Sequence, residues 1–179
     1  ICLGWTQLNL IFDIETDGFI SEVSTIHCLV IHDLDEAKTY TYNNQGNKEP
    51  IVRGIQQLAD ADSIIGHNIL GYDNPVISKL YPWFECPATC IDTLLLSRLY
   101  HSDMMSLDKK HNWKHMPLKL YGRHSLESYG YRLGEFKGEF AKDTDWKDWS
   151  EEMEQYCEQD VKVTLKLWNH FKPYLTGSR

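Results

Sequence analysis

Asp13 and Glu15 stand two residues apart in Phe12-Asp13-Ile14-Glu15-Thr16-Asp17-Gly18. On a strand that spacing sends both carboxylates to one face. Two acids ending an apolar strand repel each other and are costly to desolvate, and a divalent cation removes both penalties. The plainer reading is a strand leaving the core into an acidic turn. A second group of this kind is Gly66-His67-Asn68-Ile69-Leu70-Gly71-Tyr72-Asp73. It falls where a short apolar strand ends and a helix begins at Asn74-Pro75, a place where ligand-binding residues gather in α/β sheets. Asp73 also fits an ordinary helix N-cap. The third is Tyr156-Cys157-Glu158-Gln159-Asp160, in which Tyr156 and Asp160 share a helix face. Asp160 borders an apolar stripe and needs a partner there; the plainer reading pairs it with Lys162 or Lys166.

The elements that must carry these residues follow from the periodicity. Leu8–Ile14, Thr25–Leu34 and Lys38–Tyr42 read as three closely spaced strands, hence an antiparallel meander. Pro50 opens a helix with Ile51, Ile55 and Leu58 on one face. Ser63–Gly66 is a short strand, Asn74–Leu80 a helix, Thr89–Ile91 a strand and Thr93–Tyr100 a helix. Residues 101–123 lack a clean period and read as a loop. His124–Leu133 and Ser150–Phe171 read as helices. Strands alternating with helices after a meander predict an α/β fold: a mixed five-stranded sheet covered by helices.

The chain has 179 residues, 42% hydrophobic and 25% charged. That fits one globular domain over residues 1–179 with its core at about 8–175, and excludes disordered and collagen-like classes. No apolar run is long enough for a membrane helix, and residues 1–5 do not resemble a secretory signal. No membrane partner is expected, and a monomer is. The missing initiator Met and the Thr176–Arg179 ending predict a fragment or a trimmed chain. The five scattered cysteines predict a reducing compartment without a disulfide framework. Cys86 and Cys90 read as structural thiols, because no second Cys or His pair completes a zinc site.

The net charge of −8 argues against a uniformly basic nucleic-acid footprint, but the charge is segregated. Residues 143–160 hold eight acids and one lysine; residues 109–124 hold Lys109, Lys110, Lys114, Lys119 and Arg123, three histidines and no acid. The basic stretch, with Trp113 and Tyr121, reads either as a track for a single strand or as a solvated loop. His111 and His115 lack the glutamate of a helical zinc-protease motif. The acidic segment reads as a solvated start to the last helix.

Taken together, Asp13-x-Glu15, Asn68-x-x-x-Tyr72-Asp73 and Tyr156-x-x-x-Asp160 resemble the three motifs of the DEDD superfamily of 3′–5′ exonucleases, in the subgroup with a tyrosine in the third motif. The strings Cys90–Leu99 and His124–Glu139 resemble the proofreading domain of family A DNA polymerases from short-tailed bacteriophages. The similarity covers roughly Leu10 to Leu175, and no polymerase palm, fingers or thumb follows. The resemblance implies a ribonuclease-H-like fold and removal of nucleotides from the 3′ end of single-stranded DNA. It further implies two divalent ions, Mg²⁺ or Mn²⁺, which activate water and stabilise charge on the reacting oxygens. Oxygen-seeking ions of this kind account for carboxylates as ligands. By the same resemblance Asp13 would bridge both ions, Glu15 and Asp160 would complete one site, and Asp73 would hold the other. Tyr156 would orient the attacking water. Asn68 would contact the terminal nucleotide or steady its motif, and Phe19 and Ile20 would wedge against the terminal base. A polymerase domain in cis or in trans is the expected protein partner, and the cytoplasm, of a bacterial host if the chain is phage-derived, the expected location. The competing readings are an RNA-trimming exonuclease of the same superfamily and a non-catalytic strand-binding module. The second of these predicts lost carboxylates, and all four are present.

Overall fold

The computed structural model describes residues 7–135 and 145–178. The first residues with Cys2, the Phe136–Glu139 end of the second matching string, and Asp143 lie outside the described residues.

Alternating apolar residues build the meander: β1 (Asn9–Thr16), β2 (Ile26–Asp33) and β3 (Lys38–Asn43) pair antiparallel. Two short apolar strands, β4 (Ser63–Gly66) and β5 (Thr89–Asp92), add on in parallel, and the sheet order is β3-β2-β1-β4-β5. The strand with the paired acids is therefore central. Its ladder to β4 covers only Asn9, Leu10 and Ile11, so Asp13 and Glu15 lie beyond the end of β4. The ladder to β2 shifts register between Glu15 and Thr16.

Strand periodicity divides the core in two. Leu10, Phe12, Ile14, Leu29 and Ile31 pack against α1 (Ile51–Ala59) and α2 (Asn74–Leu80) through Ile51, Ile55, Leu58, Val76 and Ile77. On the other face Ile11, Cys28, Val30 and Ile65 pack against Cys157 and Val161 of α6 (Glu151–Leu175). Each fully buried Ile or Leu contributes about 1.5–3 kcal/mol. The far side of α6 packs Val163, Leu167 and Phe171 against Met104 and Tyr129, so α3 (Thr93–Tyr100), α4 (Met104–His111) and α5 (Leu126–Arg132) form an outer layer.

Several boundaries depart from expectation. Residues 101–123 are not a loop throughout: they hold α4 and a 3-10 turn at Leu118–Leu120. The helical period is hidden because α4 buries an aspartate as well as Met104. Asp108 accepts two bonds from Arg132, at 2.9 and 2.7 Å, one from the Trp113 indole at 2.9 Å and one from the Gly122 amide at 2.8 Å. The helix expected from His124 starts at Leu126, because Ser125 caps it by accepting the Ser128 amide. The last helix runs past Phe171 to Leu175 with Pro173 inside it. A proline removes a single helical bond, and Tyr174 stacks on Tyr100 at 4.7 Å across the helix end. The acidic start of α6 is not wholly solvated: Glu154 is buried, accepts from Asn43 at 2.6 Å and pairs with Lys48 at 3.7 Å.

Candidate active site

Gly66 ends β4 where a side chain has no room: a Cβ there would lie 2.2 Å from Ile69 Cγ2 and 3.1 Å from the Phe12 carbonyl oxygen. The chain passes close to β1 at this point and turns. Asn68 takes the left-handed conformation (φ 60°), and Ile69–Asp73 form a wide π turn running straight into α2. Asp92, at the end of β5, fixes this turn by accepting the amides of Asn68 at 2.8 Å and Leu70 at 3.1 Å. His67 is held by the His124 carbonyl oxygen at 2.8 Å, and burial lowers its pKa to about 4, so it stays neutral.

The turn delivers Asp73 to β1. Asp73 is not an N-cap: its backbone is helical and its side chain caps no amide, because the π turn leaves no break before α2. Instead its carboxylate comes up beside the Ile14 stretch of β1, beyond the point where β4 stops pairing with that strand. Asp73 is 4% exposed, and its Oδ2 is buried with no hydrogen-bond partner among the described residues. Burial, then the charges of Asp13 and Glu15, raise its pKa well above the ordinary carboxylate value.

Asp13 and Glu15 face α6. The Cys157 thiol lies 3.4 Å from the Asp13 carbonyl oxygen and 3.5 Å from Asp13 Oδ2. The ligand atoms of Asp13, Glu15 and Cys157 all lie within 4.8 Å of one another. Tyr156 is half-buried, and its hydroxyl is pushed up to about 12 by burial, then by Glu15, Glu127 and Asp13. Asp160, 8% exposed, stands one turn further along this helix, on the side of the sheet that Asp13 faces. Lys166, one of the lysines that the sequence offered as its partner, bridges to Glu135 at 2.7 Å.

The expected substrate contacts occupy the rim. Phe19 is 78% exposed and Ile20 37% exposed, on the loop leaving β1. Lys79 holds that loop through the Ile20 carbonyl at 2.9 Å, and the Tyr72 hydroxyl holds it through the Gly18 carbonyl at 2.6 Å. Asn68 is exposed, and its side chain lies over Gly71, where a Cβ would come within 2.5 Å of Asn68 Oδ1.

Sequence reasoning missed Asp92, Thr16 and Cys157. Asp92 had a usable signal, since an aspartate between a strand and a helix is a natural acceptor for loop amides. Thr16, which is hydrogen-bonded to the Tyr72 hydroxyl, and Cys157 gave none.

This chain is similar to known proteins in both sequence and fold. The chain is 34% identical over 181 residues to the DNA-directed DNA polymerase of Escherichia phage T7, an alignment covering 88% of this chain and 26% of that protein. It is also 34% identical to the corresponding polymerase of Enterobacteria phage T3, with the same coverage. The chain thus spans about a quarter of the length of the curated relatives it matches. Among solved structures, Brucella melitensis NrnC with bound Mg²⁺ superposes with a TM-score of 0.60 at 15% identity, covering 97% of this chain and 76% of that one. The zinc-bound E. coli ExoI–ssDNA complex gives a TM-score of 0.55 at 14% identity, covering 96% and 42%. The family model described as RNase_H superfamily matches residues 10–172, and with the sheet order above it shows that the chain belongs to the RNase_H superfamily, in the fold of its exonucleases.

Proposed function

We propose that this chain is a metal-dependent 3′–5′ exonuclease of the proofreading type. It hydrolyses the 3′-terminal phosphodiester of single-stranded DNA and releases nucleoside monophosphates. The observation that carries this reading is Asp73 Oδ2, a buried carboxylate oxygen without a hydrogen-bond partner among the described residues, whose group is repelled by Asp13 and Glu15. A buried carboxyl in this state is neutralised either by a proton or by a cation, and a bound cation also relieves the repulsion from Asp13 and Glu15. The donor set fits hard divalent ions, Mg²⁺ or Mn²⁺, with Asp13, Glu15, Asp73 and Asp160 as the residues that would hold two of them. Such ions, when bound, supply Lewis-acid stabilisation of the phosphate and a nucleophilic water at neutral pH.

The remaining work falls to the chain itself. Tyr156 keeps its proton at neutral pH, so its hydroxyl can donate to or orient a water beside Glu15. The Tyr72–Gly18 bond sets the height of the Phe19–Ile20 loop, whose exposed apolar side chains are suited to stacking on a terminal base. Asn68, whose exposed polar side chain precedes the turn that carries Asp73, contacts the terminal nucleotide or steadies that turn.

The relatives that share about a third of this sequence are DNA polymerases, which supports DNA as the substrate and a polymerase domain, in cis or in trans, as the partner. Both relatives belong to phages of enteric bacteria, which supports action in the bacterial cytoplasm. Among the described residues no helix is long and apolar enough to cross a membrane.

The test is incubation with 3′-labelled single-stranded DNA and RNA, with Mg²⁺ and with chelator. Mononucleotides are expected from DNA with Mg²⁺ and none with chelator. Release that persists in chelator, or intact DNA in excess Mg²⁺, defeats the reading.

A further inference from the structure

Cys157 is the one side chain among the three converging ligand atoms whose chemistry differs from a carboxylate. It is fully buried under β1, and its sulfur is as close to the Asp13 carboxylate (3.5 Å) as to the strand backbone (3.4 Å). A tetrahedral centre with one sulfur and two oxygen ligands separates its ligand atoms by about 3.5 Å. Asp13, Glu15 and Cys157, within 4.8 Å of one another, therefore need to close by only about an ångström to share an ion. Independently, the buried Asp73 Oδ2 has no hydrogen-bond partner among the described residues, and its carboxyl is repelled by Asp13 and Glu15, so a cation bound beside these acids relieves that repulsion.

We propose that Cys157 makes this centre a site for thiophilic divalent cations, Cd²⁺ and Zn²⁺, bound by the carboxylates of Asp13 and Glu15 and the Cys157 thiolate. This rests on the reading of the centre as a cation site and adds a selectivity to it. Mg²⁺ takes oxygen ligands and leaves the thiol protonated, whereas a soft ion recruits the sulfur. Binding breaks the Cys157 S–H bond and forms a metal–sulfur bond; the proton passes to solvent, and no group is oxidised or reduced. The Cys28 thiol, on β2 beside Cys157, is the nearest competing sulfur. Cys86 and Cys90 form a separate pair around the Asn74 amide, at 3.5 and 3.3 Å from its nitrogen.

The experiment titrates Cd²⁺ into the reduced, metal-free chain carrying Cys2→Ser, Cys86→Ser and Cys90→Ser. It reads the ultraviolet sulfur-to-cadmium charge-transfer band and the affinity in competition with a chromogenic chelator. The band is expected in this background and lost on adding Cys157→Ser, with affinity lowered by about 100-fold or more, since even outer partners of a metal ligand are worth 10–100-fold. Circular dichroism reports whether each variant is folded. A band that survives in folded Cys157→Ser, or that is lost with Cys28→Ser alone, overturns the proposal. Should Cys157→Ser not fold, Asp13→Ala decides: its Cd²⁺ affinity must fall at least about tenfold, and an unchanged affinity overturns the proposal. Mg²⁺-dependent hydrolysis is measured apart on the parent chain, so failure of the exonuclease reading is seen separately from failure of the cysteine assignment.

Discussion

The Tyr72 hydroxyl donates to the carbonyl oxygen of Gly18 at 2.6 Å, joining the π turn that carries Asp73 to the loop that follows Asp13 and Glu15. The same hydroxyl is hydrogen-bonded to Thr16. Two carboxylate-bearing segments that repel each other are thus held together by neutral groups. Tyr72→Phe is expected to lower unfolding free energy by about 1 kcal/mol. It should reduce hydrolysis by roughly tenfold through misplacement of the loop. Urea unfolding and single-turnover hydrolysis on one preparation check both.

Asp13→Ala is expected to lower hydrolysis by about 10³-fold or more while leaving the metal-free fold intact. The change removes one of several mutually repelling acids, so the metal-free protein should be no less stable than the parent. Near-full hydrolysis by a verified preparation would remove Asp13 from the centre.

Tyr156→Phe keeps the ring that meets Trp146 edge-on at 6.5 Å and deletes only the hydroxyl. An interaction made mainly in the transition state appears in kcat, so turnover should fall by about 10–100-fold with DNA affinity little changed. A tenfold loss of binding at an unchanged single-turnover rate would make Tyr156 a substrate contact instead.

Asp73 should give the metal-free protein a distinctive pH dependence. Burial first, then Asp13 and Glu15, raise its pKa in the folded state. The folded chain therefore binds this proton more tightly than the unfolded chain. Stability is full below the unfolded value near 3.8 and declines as pH rises toward the raised folded value. Thermal unfolding from pH 4 to 8 should show this decline, Asp73→Asn should flatten it, and Mn²⁺ should offset it by binding the folded state alone.

The Arg132–Asp108 pair, at 2.7 Å and with side chains 6% and 1% exposed, should matter for stability rather than chemistry. Arg132→Leu leaves Asp108 buried and unpaired and should cost about 3–5 kcal/mol. Burial alone would raise Asp108, but bonds from Arg132, Gly122 and Trp113 outweigh it and hold its pKa below 3.8. The stability from this depressed pKa is present above the unfolded value and is lost as pH falls through the folded one. Acid titration of Asp108→Asn should lack that component.

The amino-acid sequence by itself determined the strand meander, the shared face of Asp13 and Glu15 and the turn of helix between Tyr156 and Asp160. These are periodicities of two and of three to four, fixed by local backbone geometry. The length and spacing of the three motifs also carried the family. Only the tertiary structure decided what Asp73 is: nothing local distinguishes an N-cap aspartate from one that a π turn carries to the acidic end of β1. The role of Cys157 was hidden for the same reason, because its sulfur meets Asp13 across 144 residues and only when α6 lies on β1. The helix at Met104–His111 was illegible because a buried Asp108 interrupts its apolar face, and the Arg132 that makes this tolerable lies 24 residues further on. Local spacing sets which side chains share a face, whereas burial and charge depend on what long-range packing lays against that face.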